Sequence, residues 1–127
     1  MNVTHLRYVA LVTPEFERSR DFFSEAWGLR DAGIALDGCA FLQTRSGEAF
    51  QLALRAGPQR RIERIAFALA TPAEVDEAAR ALERAGVRIV AAPQRLDTPG
   101  RGYGVRFLDP DNRCLALSAD VAPGPAG

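Results

Sequence analysis

The chain contains no lysine, one histidine, one tryptophan, one methionine and two cysteines among its 127 residues. Each scarcity narrows what the protein does. All 16 basic residues are arginine in an alanine-rich sequence, which reads as a compositional habit rather than a functional signal. They are matched by 16 acidic residues, and a chain of zero formal charge lacks the electrostatic footprint that nucleic acids and anionic membranes select. Cys39 and Cys114 are too few for a disulfide framework. Arg, Asp or Gly interrupts every apolar run before the roughly 18 residues that a membrane span needs. Residues 1–12 carry no charged segment followed by a long apolar one, so the expectation is a cytoplasmic protein. Any Ser-His-Asp or Cys-His chemistry would have to recruit His5, for which no ligand set or catalytic partners can be assembled.

What is present is an ordinary globular composition, 47% hydrophobic and 25% charged, at the length of one domain. Within it the chain is written twice. Tyr8-Val9-Ala10-Leu11 recurs as Arg64-Ile65-Ala66-Phe67, Thr13-Pro14 as Thr71-Pro72, and Gly28-Leu29-Arg30 as Gly86-Val87-Arg88. Thr suits a helix N-cap and Pro the first helical position, with Glu74 completing a capping box in the second copy. Gly28 and Gly86 suit the helix stops. Phe16, Ser19, Phe23, Ala26 and Trp27 share one face of the first predicted helix, and Val75, Ala78, Ala79 and Leu82 one face of the second. The extended runs that follow are Gly33–Leu36, Ala40–Gln43 and Ala49–Arg55, then Val87–Ala91, Gly104–Leu108 and Cys114–Ser118. Each half therefore reads βαβββ, over about residues 4–56 and 62–121.

Strand alternation assigns the faces. Val9, Leu11, Phe50, Leu52, Leu54, Ile65, Phe67, Leu69, Leu115 and Leu117 make an apolar face for the helices to cover. Phe23, Trp27, Leu52, Phe67 and Leu117 are the expected core. The opposite face carries Tyr8, Ala10, Gln51, Ala53, Arg64, Ala66, Ala116 and Ser118, the small and polar character of a sheet curved around a cavity or of a solvated surface. Gly100, Gly102 and Gly104 precede a strand rather than a helix and read as turn residues, not a phosphate loop. Arg55, Arg60, Arg61 and Arg64 surround Gly57-Pro58 and read as a solvated connector. Asp109–Asn112 reads as a tight turn with Pro at its second position.

The βαβββ pair resembles the vicinal oxygen chelate superfamily of glyoxalase I, bleomycin-resistance proteins and type I extradiol dioxygenases. So do the segments Tyr8–Phe16 (YVALVTPEF), Phe22–Leu29 (FFSEAWGL) and Phe107–Asp111 (FLDPD). Asp97–Gly104 (DTPGRGYG) before Val105–Pro110 (VRFLDP) is most similar to the amino-terminal module of an extradiol dioxygenase. The resemblance implies an α+β fold of paired βαβββ modules, curved mixed sheets around a concavity, over residues 1–121, and the small, Pro/Gly-rich composition of 122–127 reads as a flexible tail or linker. Metal-using members hold their ion on His and Glu at four strand positions, and these match Tyr8, Gln51, Arg64 and Ala116 here. All four depart from the pattern, so no cofactor is expected in this chain; Fe(II) or Mn(II) would belong to a downstream catalytic module. The implied function is a non-catalytic amino-terminal module of an extradiol dioxygenase, or a free-standing relative. The alternative is a dimeric protein that sequesters a small aromatic molecule without metal, with Tyr8, Gln51 and Arg64 lining its pocket. The partner is a second copy or a second module of the same polypeptide.

Overall fold

The computed structural model describes residues 1–46, 48–100 and 102–121, and the expected 122–127 tail lies outside them. In the first half β1 (His5–Thr13) precedes the helical segment, and β2 (Arg30–Ile34), β3 (Ala40–Gln43) and β4 (Leu52–Ala56) follow it. The second half runs β5 (Arg61–Ala68), α2 (Pro72–Arg84), β6 (Ile89–Arg95), β7 (Gly102–Leu108) and β8 (Cys114–Asp120). With α1 at Phe16–Asp21, both halves are βαβββ, and the chain is an α+β protein of paired modules. By compactness it divides into an amino-terminal unit, Leu6–Ala66, and a carboxy-terminal unit, Met1–His5 with Phe67–Gly127.

In the amino-terminal unit β1 pairs parallel with β4, matching Val9 to Leu52 and Leu11 to Leu54, and β4 and β2 flank β3 antiparallel. The sheet is thus mixed. Ala40, Leu42 and Leu54 are buried under the helical segment, with Leu11, Phe16, Phe23, Leu29 and Leu52 packed against them. That segment departs from the sequence reading. Thr13 does not cap it: its hydroxyl accepts from the Glu15 amide at 3.0 Å, forming a turn, and α1 starts at Phe16. After one and a half turns the helix widens into a π-helical segment, Phe22–Ala26. Its larger residue count per turn changes the phase, so Phe16, Ser19 and Phe23 remain half-buried while Ala26 and Trp27 rotate outward. Trp27 is 65% exposed and is not core. Gly28, at φ 72°, ends the segment as expected.

Two further expectations are corrected here. Strand β2 begins three residues earlier than its predicted start, because a bulge at Gly33 (φ 125°) lets Arg30 and Asp31 join the ladder with β3. The opposite face is neither small and solvated nor uniformly polar: Tyr8, Ala10, Phe41, Phe50 and Ala53 are all buried. Phe50 precedes β4, so strand alternation does not bind it, and its ring turns to Tyr8 (centroids 4.7 Å) and Phe41 (4.8 Å) instead of toward the helix. These rings cover the neighbouring alanines, whereas the helix side is covered by a short segment none of whose residues is itself buried.

In the carboxy-terminal unit β7 pairs antiparallel with β6 and β8, and the Leu69 amide, just past β5, donates to the Ser118 carbonyl at 2.8 Å. Thr71 caps α2, its hydroxyl accepting from the Glu74 amide at 3.2 Å, and Gly86 at φ 80° stops it. Val75, Ala78 and Ala79 bury against Leu69, Val105, Leu117 and Ala119, with Phe67 and Leu82 partly buried around them. Tyr103 ties β7 to the helix through a 2.5 Å bond to Asp76. Of the expected core, Leu117 is buried and Phe23, Leu52 and Phe67 are half-buried. Gly100 is a turn residue at φ 85°, but Gly102 and Gly104 lie within β7. A Cβ at Gly104 would come within 2.9 Å of the Leu117 carbonyl oxygen, so a bare backbone is needed there. Asp109–Asn112 forms the expected turn, with the Asn112 amide donating to the Asp109 carbonyl at 2.9 Å.

Candidate functional site

Tyr8 and Arg64 occupy equivalent positions of the sequence repeat, and the fold bonds them to each other. The Arg64 Nε donates to the Tyr8 hydroxyl at 3.0 Å, with the guanidinium carbon 5.8 Å from the ring centroid. The pair is enclosed: Tyr8 is 3% exposed and Arg64 9%. Because β1 and β5 each alternate, Tyr8 shares its face with Ala10 and Arg64 shares its face with Ala66, and the small neighbours leave room for the phenol and the guanidinium. The Phe50 ring packs tilted on the Tyr8 ring and meets Phe41 edge to face, giving the phenol an aromatic backing.

The charges around this pair are handled unequally. Arg55 has two carboxylates, Asp37 at 2.7 Å and Glu63 at 3.3 Å, and the Asp37 hydrogen bond is the main reason its pKa is held above the ordinary value. Asp37 is held below the usual carboxylate range, first by the Cys39 amide and then by Arg55. Burial pushes the Cys39 thiol up. Arg64 has a phenol and, among the described residues, no carboxylate partner. A buried cation left with a neutral acceptor is expensive, and its terminal nitrogens are the donors that an anion would use.

Gln51 does not join the pair. Its side-chain oxygen accepts from the Thr44 amide at 2.5 Å and its amide nitrogen donates to Ser46 Oγ at 3.1 Å, so it closes the β3–β4 connection. Ala116 lies buried on β8 in the other unit. His5 is exposed at the start of β1, its Nδ1 2.9 Å from Thr4 Oγ1. The donor chemistry at Tyr8, Gln51, Arg64 and Ala116 does not fit a divalent ion. A permanent cation bonded to the phenol repels one, the Gln51 oxygen is engaged, and Ala116 has no donor atom. Among the described residues no group of three or more His, Cys, Asp or Glu comes together as a metal site. None of their helices is long and apolar enough to cross a membrane.

Sequence reasoning put Tyr8 and Arg64 on one functional face but missed their mutual bond and the aromatic backing. Phe41 and Phe50 lay hidden because one was read as an ordinary strand residue and the other was assigned to the helix side. The 56-residue spacing of the two repeat starts was the available signal.

Both halves are βαβββ modules, with Tyr8 and Arg64 at equivalent first-strand positions. The profile of the Glyoxalase/Bleomycin resistance protein/Dioxygenase superfamily matches residues 5–113, and the chain belongs to that superfamily. Among solved structures it is similar to the Mn(II)-bound glyoxalase from Novosphingobium aromaticivorans. The two share 34% identity at TM-score 0.88 over 94% of this chain and 40% of that one. It shares the fold of homoprotocatechuate 2,3-dioxygenase from Brevibacterium fuscum at TM-score 0.83 and 22% identity, over 95% of this chain and 33% of that one. The chain thus spans well under half of either protein. No curated protein matches it.

Proposed function

We propose that this chain serves as a non-catalytic amino-terminal module of an extradiol-dioxygenase-type protein of its superfamily, or as a free-standing cytoplasmic relative of such a module. The carrying observation is the Tyr8–Arg64 bond, which joins two positions the resemblance reserves for metal ligands directly to each other. The 33–40% share of the two longer relatives agrees with a module that works beside another. In that role Tyr8 and Arg64 hold the face rigid, and metal-dependent ring cleavage belongs to a second module.

A second reading is favoured by one feature, the buried Arg64 guanidinium without a carboxylate. A homodimer of the bleomycin-resistance type would place there a small aromatic carboxylate or phenolate, received by the Arg64 terminal nitrogens and the Tyr8 hydroxyl. Gln51, held by Thr44 and Ser46, would shape the adjoining hairpin. The coding sequence beyond Gly127 separates the two readings. A second βαβββ pair with His, His and Glu at matching strand positions supports the module, and a stop codon supports the binder. A light-scattering mass near 13.8 kDa that persists on concentrating refutes the dimer.

A further inference from the structure

The amino-terminal unit has a second concave feature, separate from the Tyr8–Arg64 pair. A groove of about 610 Å³ opens between α1, its π-helical continuation and the start of β5. Leu11 and Phe23, packed on the buried Leu54, contribute apolar lining, as do Phe22 and Ile62, 51% and 60% exposed. Its charged residues are three guanidiniums, Arg18, Arg60 and Arg61, to one carboxylate, Glu15, which Arg18 already binds at 3.2 Å. Arg60 and Arg61 have no ion-pair partner among the described residues.

This revises the expectation that Arg55, Arg60, Arg61 and Arg64 form one solvated connector. Arg55 is held by two acids, Arg64 is buried on Tyr8, and only Arg60 and Arg61 remain as uncommitted charge, both on the groove. The π-helical turn carries two of its lining phenylalanines, Phe22 and Phe23, and such turns recur at functional sites.

We propose that this groove binds an amphipathic monocarboxylate, its apolar body along Phe22, Phe23, Leu11 and Ile62 and its carboxylate on Arg60 and Arg61. The volume falls in the range of small-ligand sites, about 300–1,000 Å³. Apolar lining together with two guanidiniums that lack an ion-pair partner among the described residues gives the complementarity that an amphipathic acid requires, and a neutral or cationic amphiphile does not match it.

Trp27, the chain's single tryptophan, reports occupancy, since its ring lies 5.5 Å from Phe23 and 6.2 Å from Phe22 between centroids. Decanoate, titrated below its micellar range, is expected to change Trp27 emission saturably and to bind at least tenfold more tightly than decanol. The Arg60→Ala/Arg61→Ala double variant alters exposed residues only; it should lose at least tenfold in decanoate affinity, keep its affinity for decanol and keep the wild-type urea midpoint. Ile62→Asp should weaken both ligands. Equal affinity for decanoate and decanol, an unchanged double variant, or no saturable signal by emission and calorimetry overturns the proposal. So does loss of decanoate binding in Arg64→Met with the double variant unaffected, which would place the acid at the other site.

Discussion

Replacing Tyr8 with Phe removes one oxygen from the protein and keeps everything else that the ring does. The stack on Phe50 at 4.7 Å survives, as does the weak cation–π contact with Arg64, which at 5.8 Å lies near the outer limit of about 6 Å for such contacts. What disappears is the acceptor for the Arg64 Nε, in a place where Arg64 is 9% exposed and water has little access. A hydrogen bond to a charged group contributes about 1.5–3 kcal/mol, so Tyr8→Phe is expected to cost about that much in equilibrium urea unfolding with an unchanged m-value. Arg64→Met should also destabilise, because it strands the buried phenol. The double variant removes donor and acceptor together, so it should cost less than the sum of the two by about 1–2 kcal/mol. A Tyr8→Phe cost below about 0.5 kcal/mol, or additive single variants, would refute the pairing as a structural element.

Leu117→Ala opens a cavity among Val75, Ala79, Val105 and Leu69 and should cost about 2–5 kcal/mol, whereas Trp27→Ala, despite the larger side chain, should cost under about 1 kcal/mol because the ring is 65% exposed. Comparable losses in urea midpoint for the two would contradict the outward rotation of the π-helical turn. In acid, Asp31, Asp37 and Asp109 act together: each is held below its ordinary value of 3.8, chiefly by a backbone amide, from Gly33, Cys39 and Arg113 respectively. Since the folded pKa lies below the unfolded one, their stabilisation is complete above about pH 4 and is lost as pH falls through the lower folded values. The urea midpoint should therefore be flat from these groups between pH 7 and 5 and decline below pH 4, less steeply in Asp37→Asn; a decline equally steep in that variant would show that its amide and Arg55 bonds contribute nothing.

The second half of the chain was the more legible in sequence. Thr71, Glu74 and Gly86 are local signals that act through backbone groups a few residues away, and Val75, Ala78 and Ala79 follow the helical period into the core as read. The first half was harder because its decisive features are not local in that sense. Nothing in FFSEA marks a π-helical turn; its end is closed by the Leu29 amide reaching back to the Phe23 carbonyl at 3.0 Å after Gly28 reverses the chain. Phe50 was misassigned by extending strand alternation two residues past the true start of β4. Arg55, Arg60, Arg61 and Arg64 look alike in sequence, and only the fold separates an ion-paired, two groove-lining and a buried guanidinium.

The fate of the four positions that the resemblance reserves for metal ligands follows from one constraint. A buried polar side chain must be paired, and a position that no longer supplies a ligand cannot simply keep an unpaired His or Glu in its place. Each position here meets that constraint differently. Tyr8 and Arg64 bond to one another, Gln51 spends its amide on the Thr44 and Ser46 hairpin, and Ala116 removes the polar atom altogether. Only the Tyr8–Arg64 solution leaves residual donors, because a guanidinium has five N–H bonds and the phenol accepts one. Ligand recognition through Arg64 would favour an anion: the positive charge is permanent, partly desolvated, and faces a neutral acceptor where Arg55, in the same unit, faces two carboxylates.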